Sequence, residues 1–192
     1  MGHKHDRVEI LAGALATAFD EGLSALTFGR IAKRLGISDR IVVYYFPTKQ
    51  DLIGEVLFAV GAELQQALAP AISSAKADHL EFARAAWPTL ARPEADSVFA
   101  LFFEAGGLAA AGLEPYRELV PALVDAWISW ASDFIAGPPA RRRMEAEAAI
   151  AILDGLLMFR QLAGHAAAQR AARRIGIIGP HRRNNPGDGR QR

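Results

Sequence analysis

Between residues 27 and 49 the chain reads TFGRIAKRLGISDRIVVYYFPTK, and nearly every position carries a helix-end signal. Thr27 has the hydroxyl of an N-cap, able to accept from the free amides that open a helix over 28–35. Leu26 and Ile31 fall at the N′ and N4 spacing of a hydrophobic staple. Gly36 suits the left-handed position just beyond a helix end. Ser38 then offers a second cap, Ile37 and Val42 repeat the staple spacing, and Pro47, lacking an amide, stops the second helix. Two capped helices of about two turns each, joined by Gly36-Ile37-Ser38, predict a helix-turn-helix, the unit that lays its second helix in the DNA major groove.

Charge agrees once it is read by segment. The formal net charge of the whole chain is only +1. Within 27–50, however, Arg30, Lys33, Arg34, Arg40 and Lys49 face Asp39 alone. Residues 51–164 hold 8 Lys/Arg against 15 Asp/Glu. A basic patch confined to the helix-turn-helix of an otherwise acidic body would draw a duplex to one end of the molecule. Taken alone, Arg30, Lys33 and Arg34 would read as the solvated face of an amphipathic helix. The caps, staples and turn in matching register favour DNA.

These residues carry a family resemblance. The chain places Phe19-Asp20-Glu21-Gly22, Leu26-Thr27, Ile31-Ala32, Gly36-Ile37-Ser38, Val42-Val43-Tyr44-Tyr45-Phe46 and Lys49 in one register. Residues 7–53 thereby resemble the DNA-binding domain of the tetracycline-repressor-like (TetR) transcriptional regulators, about a quarter of the chain. Two positions depart from the family pattern, its first tyrosine falling on Val43 and its histidine on Tyr45. The resemblance implies DNA contacts by Thr27, Ser38, Asp39, Arg40, Ile41, Val43, Tyr44, Tyr45 and Lys49. Residue chemistry makes these roles concrete. Thr27 and Lys49 lie at helix N-termini, which attract phosphate. Arg40 can grip guanine O6/N7, Asp39 can accept from a cytosine amino group or pair with Arg40, and Ile41 can touch a thymine methyl. Tyr45 can donate to a phosphate, with Tyr44 standing in for the missing ring.

Upstream, Asp6 and Glu9 have capping-box spacing, and Val8, Leu11, Ala12, Leu15 and Phe19 fall on one helical stripe, the expected core face. The uncharged run 10–19 loosely imitates a signal peptide, but Asp6 and Glu9 spoil the basic flank, so secretion is not expected. Position 6 lacks the Ser or Thr of a myristoylation signal. No apolar run reaches membrane-spanning length. Zero cysteines exclude disulfides and thiolate metal sites and fit a cytoplasmic protein.

The fold expected is all-α: an N-terminal three-helix DNA-binding domain over 1–50, a helical effector-binding and dimerisation bundle over 51–174, and a disordered basic tail over 175–192. Thr48 and Asp51 open a helix over 49–69 that Pro70 ends. Leu52, Val56, Val60 and Leu64 stripe it, and any signal between domains must pass through or beside it. Further helices are expected near 76–91, 94–111, 116–136 and 140–174, separated by Gly/Pro breaks. No period-two run announces a sheet.

Aromatic density marks the second domain. From 98 to 113 the only charge is Glu104, and a helix apolar all round lies in a core or around a cavity. The resemblance implies an effector pocket, for which Trp87, Phe99, Phe102, Phe103, Glu104, Tyr116 and Trp127 are the candidates. Plain core packing of the aromatics, with Glu104 paired at a helix rim, stands as the alternative. The helices over 119–134 and 144–162 offer more apolar surface than one core needs, with Leu153, Leu157 and Ile150 on one face and Ile152, Leu156 and Phe159 on another. In the resembled family this region makes a two-fold four-helix interface, so Trp130, Phe134, Ile152, Leu156 and Phe159 are the homodimer candidates. His3, His5, His79, His165 and His181 are scattered without metal-ligand spacing, and no phosphate loop, nucleophile elbow or catalytic triad appears. An enzyme is therefore not expected, nor any cofactor. The function expected is that of a repressor on a palindromic double-stranded operator, released by a small apolar or aromatic effector. A ligand-binding dimer that has lost its DNA activity is the rival.

Overall fold

The computed structural model describes residues 6–74 and 76–179, and within them the chain is helical. The head consists of α1 (Arg7–Glu21), a 3₁₀ turn at Leu23–Ala25, α2 (Phe28–Leu35) and α3 (Asp39–Tyr45). A long helix, α4 (Lys49–Leu68), leads into a bundle of α5 (His79–Leu90), α6 (Asp96–Ala110), α7 (Tyr116–Ser132), α8 (Pro139–Ala163) and α9 (His165–Arg174). Among the described residues extended pairing is limited to one bridge, in which the Lys76 amide donates to Phe134 O and the Ala136 amide to Lys76 O, each at 2.8 Å.

The helix ends in the head are built largely as their residues require. Asp6 Oδ1 accepts from the Glu9 amide at 2.9 Å, and Thr27 Oγ1 from the Arg30 amide at 3.2 Å. Helix α2 closes in a Schellman motif: Gly36 takes φ 67, its amide donates to Lys33 O, and the Ile37 amide donates to Ala32 O. Thr48 and Asp51 complete a reciprocal capping box at the start of α4. Ser38 is different. It occupies the N-cap position of α3 but makes no side-chain capping bond.

Two expectations fail. The stripe named for α1 is core only in part: Leu11 and Leu15 are half-buried against the head core, but Val8 is 74% exposed, Ala12 and Phe19 also face solvent, and the buried face is Ile10, Gly13, Ala14, Thr17 and Ala18. Small residues win the core here because α2 comes in close. A Cβ on Gly13 would lie 2.9 Å from Leu35 Cδ2, so bulkier side chains are turned outward. The second failure is the helix expected over 140–174, which is two helices. Gly164 breaks it at φ 85, and α9 leaves in a new direction.

Two cores hold the chain together. One joins α1–α3 to the first half of α4 through Ile10, Leu26, Ile31, Val42, Phe46, Leu52 and Ile53, and it also takes in Leu101, Ala105 and Tyr116 from α6 and α7. The other fills the bundle, from Leu68 and Phe82 to Leu153 and Leu157. The buried Arg160 guanidinium, paired with Asp96 at 3.0 Å and with the Ala91 carbonyl, pins α8 to the α5–α6 corner.

Candidate DNA-reading head and effector cavity

Helix α3 buries Val42 and Phe46 and turns the rest outward. Arg40, Val43 and Tyr44 lie at i, i+3 and i+4, hence on one face, and all three are exposed, Tyr44 at 78%. Asp39 is exposed, and Ile41 is half-buried against the head core. Tyr45, by contrast, is half-buried, packed on that core, with its ring edge-on to Tyr44 at 5.0 Å. The tyrosine that projects from this helix is therefore Tyr44. Thr27, Ser38 and Lys49 are exposed, and Lys49 is the first residue of α4.

The basic patch is smaller than its residue count. Arg30 is paired with Glu21, and Arg34 bonds Asp20 at 2.8 Å with Glu21 at 3.5 Å. The acidic end of α1 thus occupies two of the five cations. Lys33, Arg40 and Lys49 make no ion pair among the described residues and remain for a polyanion.

The candidate pocket residues part company. Phe99, Phe102 and Trp127 do line a cavity inside the bundle, with Leu57, Val60, Gly61, Leu64 and Leu68 of α4, Leu90 of α5, Val98 and Leu101 of α6, Leu123 and Val124 of α7, and Ile150 and Leu153 of α8. Its volume is about 80 Å³. Trp87 is not on this wall; it is buried in the bundle core with no acceptor for its indole N–H among the described residues. Phe103 packs on Phe99 and Phe102 from outside the cavity.

Glu104 and Tyr116 are corrected outright, because both serve the junction between head and bundle. Glu104 Oε2 accepts from the Leu23 amide at 2.9 Å, and Oε1 accepts from the Ser24 amide at 2.9 Å and the Ser24 hydroxyl at 2.7 Å. Tyr116 Oη donates to Leu23 O at 3.2 Å. The free amides after α1 supply donors that an acceptor on α6 can reach, which is what draws this carboxylate there. Burial pulls the Glu104 carboxyl upward, but the three hydrogen bonds from Leu23 and Ser24 hold it below its ordinary value. Burial, with the Glu104 charge nearby, pushes the Tyr116 hydroxyl up to about 12.

What the sequence reading missed is Asp154, the one ionisable side chain on the cavity wall among the described residues. Burial pushes its carboxyl up to about 6. The signal was present as a lone carboxylate between Glu147 and Arg160 in an otherwise uncharged stretch of α8.

The dimer candidates also divide. Trp130 and Phe134 stack within their own bundle, centroids 5.1 Å apart, and Trp130 also meets Phe82 and Trp127 edge-on. Ile152 is half-buried, and Leu156, 5% exposed, is consumed by its own core, so it has no surface left for a partner. Phe159 is 43% exposed and lies in a row with Gly155, Met158 and Leu162, the last 78% exposed.

Residues 10–56 match the family model of bacterial regulatory proteins, tetR family. Among curated proteins none matches. Solved structures match along most of the chain. A Rhodococcus sp. protein described as a TetR-family transcriptional regulator has TM-score 0.68 and 15% identity, over 88% of this chain and 97% of that one. A transcriptional regulator from Streptomyces coelicolor A3(2) has TM-score 0.65 and 24% identity, over 90% and 98%. The multidrug binding protein EbrR, solved with imidazole and with proflavin, has TM-score 0.64 and 22% identity in the imidazole complex, over 94% and 96%. At such identities these likenesses establish the fold. The matched head has the caps, turn and exposed second-helix face of a helix-turn-helix. Over residues 10–56 the chain is therefore similar to the tetR family of bacterial regulatory proteins, and the architecture that carries this head has the fold of the solved regulators.

Proposed function

We propose that the protein is a ligand-responsive repressor that binds a palindromic operator as a two-fold dimer and leaves it when a small molecule fills the bundle cavity. The observation that carries the reading is the outward face of α3, with Arg40, Val43 and Tyr44 exposed on one side and Val42 and Phe46 anchoring the other. Arg40 reads a base edge, Tyr44 and Lys49 take phosphates, and Thr27 and Ser38 add hydroxyl donors to the backbone. In this reading Asp39 and the outer edge of Ile41 contact the bases, Val43 a sugar or methyl group, and Tyr45 a phosphate at the rim.

The exposed row Gly155, Met158, Phe159 and Leu162 on α8 supports a helical dimer seam, since an isolated apolar stripe of this kind gains by pairing with its own copy. Two-fold pairing would set two α3 helices on half-sites about one helical turn or somewhat more apart.

The cavity shares its wall with the elements that grip the head. Helix α6 carries Phe99, Leu101 and Phe102 on the cavity side and Glu104 on Leu23 and Ser24. A ligand that displaces α6 would act on the head through Glu104, with a coupling of about 1–3 kcal/mol changing operator affinity roughly 5–150-fold. EbrR, bound to small molecules in the same fold, supports a binding role for the bundle. Binding of the purified protein to DNA upstream of its own gene, against scrambled DNA at two salt concentrations, tests the reading. Selective, salt-weakened binding is expected. Equal affinity for scrambled and genomic fragments throughout a genome-wide selection would sink it and favour the DNA-silent dimer.

A further inference from the structure

We propose that the bundle cavity is built for a lipophilic cation, an aromatic or aliphatic amine whose charged head pairs with the Asp154 carboxylate while its apolar body lies against Phe99, Phe102 and Trp127. The inference rests on the effector reading above and adds the chemical class of the ligand.

Asp154 sits on the cavity wall and makes no hydrogen bond or ion pair among the described residues. The surfaces that face it from α4, α5, α6 and α7 carry no ionisable side chain. On α8 its neighbours one turn away are Ile150, Ala151, Leu157 and Met158; the nearest charges along the helix are Glu147 and Arg160. Glu147 is paired with Arg143 at 3.1 Å, and Arg160 is held by Asp96 and Ala91. Among the described residues the carboxylate therefore has no counter-charge.

Burying a carboxylate without a partner is costly, and a fold that retains one in an apolar cavity gains when a cation arrives. With the carboxyl titrating at about 6, the group is ionised at neutral pH and available as a counter-ion. An anionic ligand would meet uncompensated repulsion. A neutral ligand would leave the desolvated charge with a single hydrogen bond at best. The aromatic lining adds a second attraction, because ring faces draw cations electrostatically.

Three probes of one shape separate these cases: 1-naphthylmethylamine, 1-naphthylmethanol and 1-naphthoate, titrated into the full chain at pH 7.5 by calorimetry. The amine is expected to bind at least tenfold tighter than the alcohol, and the naphthoate most weakly. Asp154→Asn should bring the amine to the alcohol's affinity and leave the alcohol unchanged. In the unmodified protein, lowering the pH from 7.5 to 5 should weaken the amine about tenfold and spare the alcohol, a readout that needs no variant. Equal affinities for amine and alcohol, a preference for naphthoate, a preference that survives Asp154→Asn, or no binding of any probe at millimolar concentration would each overturn the proposal. Operator affinity measured with saturating amine keeps the two readings apart. If the charge preference holds but operator affinity does not move, the cation site stands and the effector role falls.

Discussion

The Glu104 carboxylate and the Leu23 amide, 81 positions apart in the chain, meet at 2.9 Å. Leu23 is held from a second side as well, its carbonyl accepting from Tyr116. One residue of the head is thus gripped from both its peptide units by α6 and α7 together. Replacing Glu104 by Gln keeps the size, removes the charge and turns one acceptor into a donor facing an amide. A loss of about 1–3 kcal/mol of stability at pH 7.5 is expected, read by urea denaturation. Because hydrogen bonds hold the folded carboxyl below its ordinary 4.5, its contribution is present above that pH and lost as pH falls through the folded value. The deficit of the variant should therefore shrink on acidification; a deficit unchanged down to pH 3 would rule out the charge as its source.

Gly22 reaches φ 85, and a Cβ there would lie 2.9 Å from Glu104 Oε2. Gly22→Ala should accordingly combine backbone strain with displacement of the carboxylate, costing about 1–3 kcal/mol. If the double variant Gly22→Ala/Glu104→Gln is as unstable as the sum of the singles, the two sites are not coupled.

In the head, Arg40→Ala should relax specificity at one base pair per half-site, by about 1–3 kcal/mol. Lys49→Ala should weaken binding to every sequence alike and flatten the salt slope by about one unit. Arg30→Ala and Arg34→Ala should change that slope less, since Glu21 and Asp20 already neutralise those guanidinium groups. Salt titrations of the four variants on one operator fragment check the ranking.

Asp154→Asn should raise stability near neutrality. The folded carboxyl titrates at about 6 against 3.8 for the free group, so the folded state holds the extra proton between those values. Stability of the unmodified protein falls as pH rises through that window and stays lower above it, by up to about 3 kcal/mol. Melting temperatures of the two proteins should converge at pH 3.5 and separate above pH 6. A constant offset across the range would contradict the buried-carboxylate account.

For assembly, Leu162→Glu places a charge at the most exposed end of the α8 row and should shift a dimer to monomer in sedimentation, without unfolding the chain. Leu156→Ala should instead lower stability by about 2–5 kcal/mol, as a core truncation.

The head was legible because its signals are local. Caps, staples and αL glycines act within a few residues, and Thr27, Gly36, Thr48 and Asp51 do what their side chains dictate. The face of α1 was misread because hydropathy ranks Val8 and Phe19 above Gly13 and Ala14, whereas close helix approach selects the small residues. Glu104 stood out as the one charge in an apolar helix, but its partners lie some 80 residues upstream. Asp154 gave a comparable sign and was passed over, since nothing in α8 alone tells that four other helices leave a space in front of it. Trp87 lies wholly in the bundle core, whereas Phe102 and Trp127 pack on that core and also line the cavity; only packing distinguishes them.

Helix α4 buries Leu52, Ile53 and Val56 in the head core and lines the cavity with Val60, Leu64 and Leu68. At about 1.5 Å per residue its twenty residues make a rod of roughly 30 Å. A tilt of about 7° pivoting at the cavity end would sweep the head end through nearly 4 Å, roughly the rise of one base pair. A side-chain adjustment too small to disturb the bundle would then suffice to move α3 out of register with a fixed half-site.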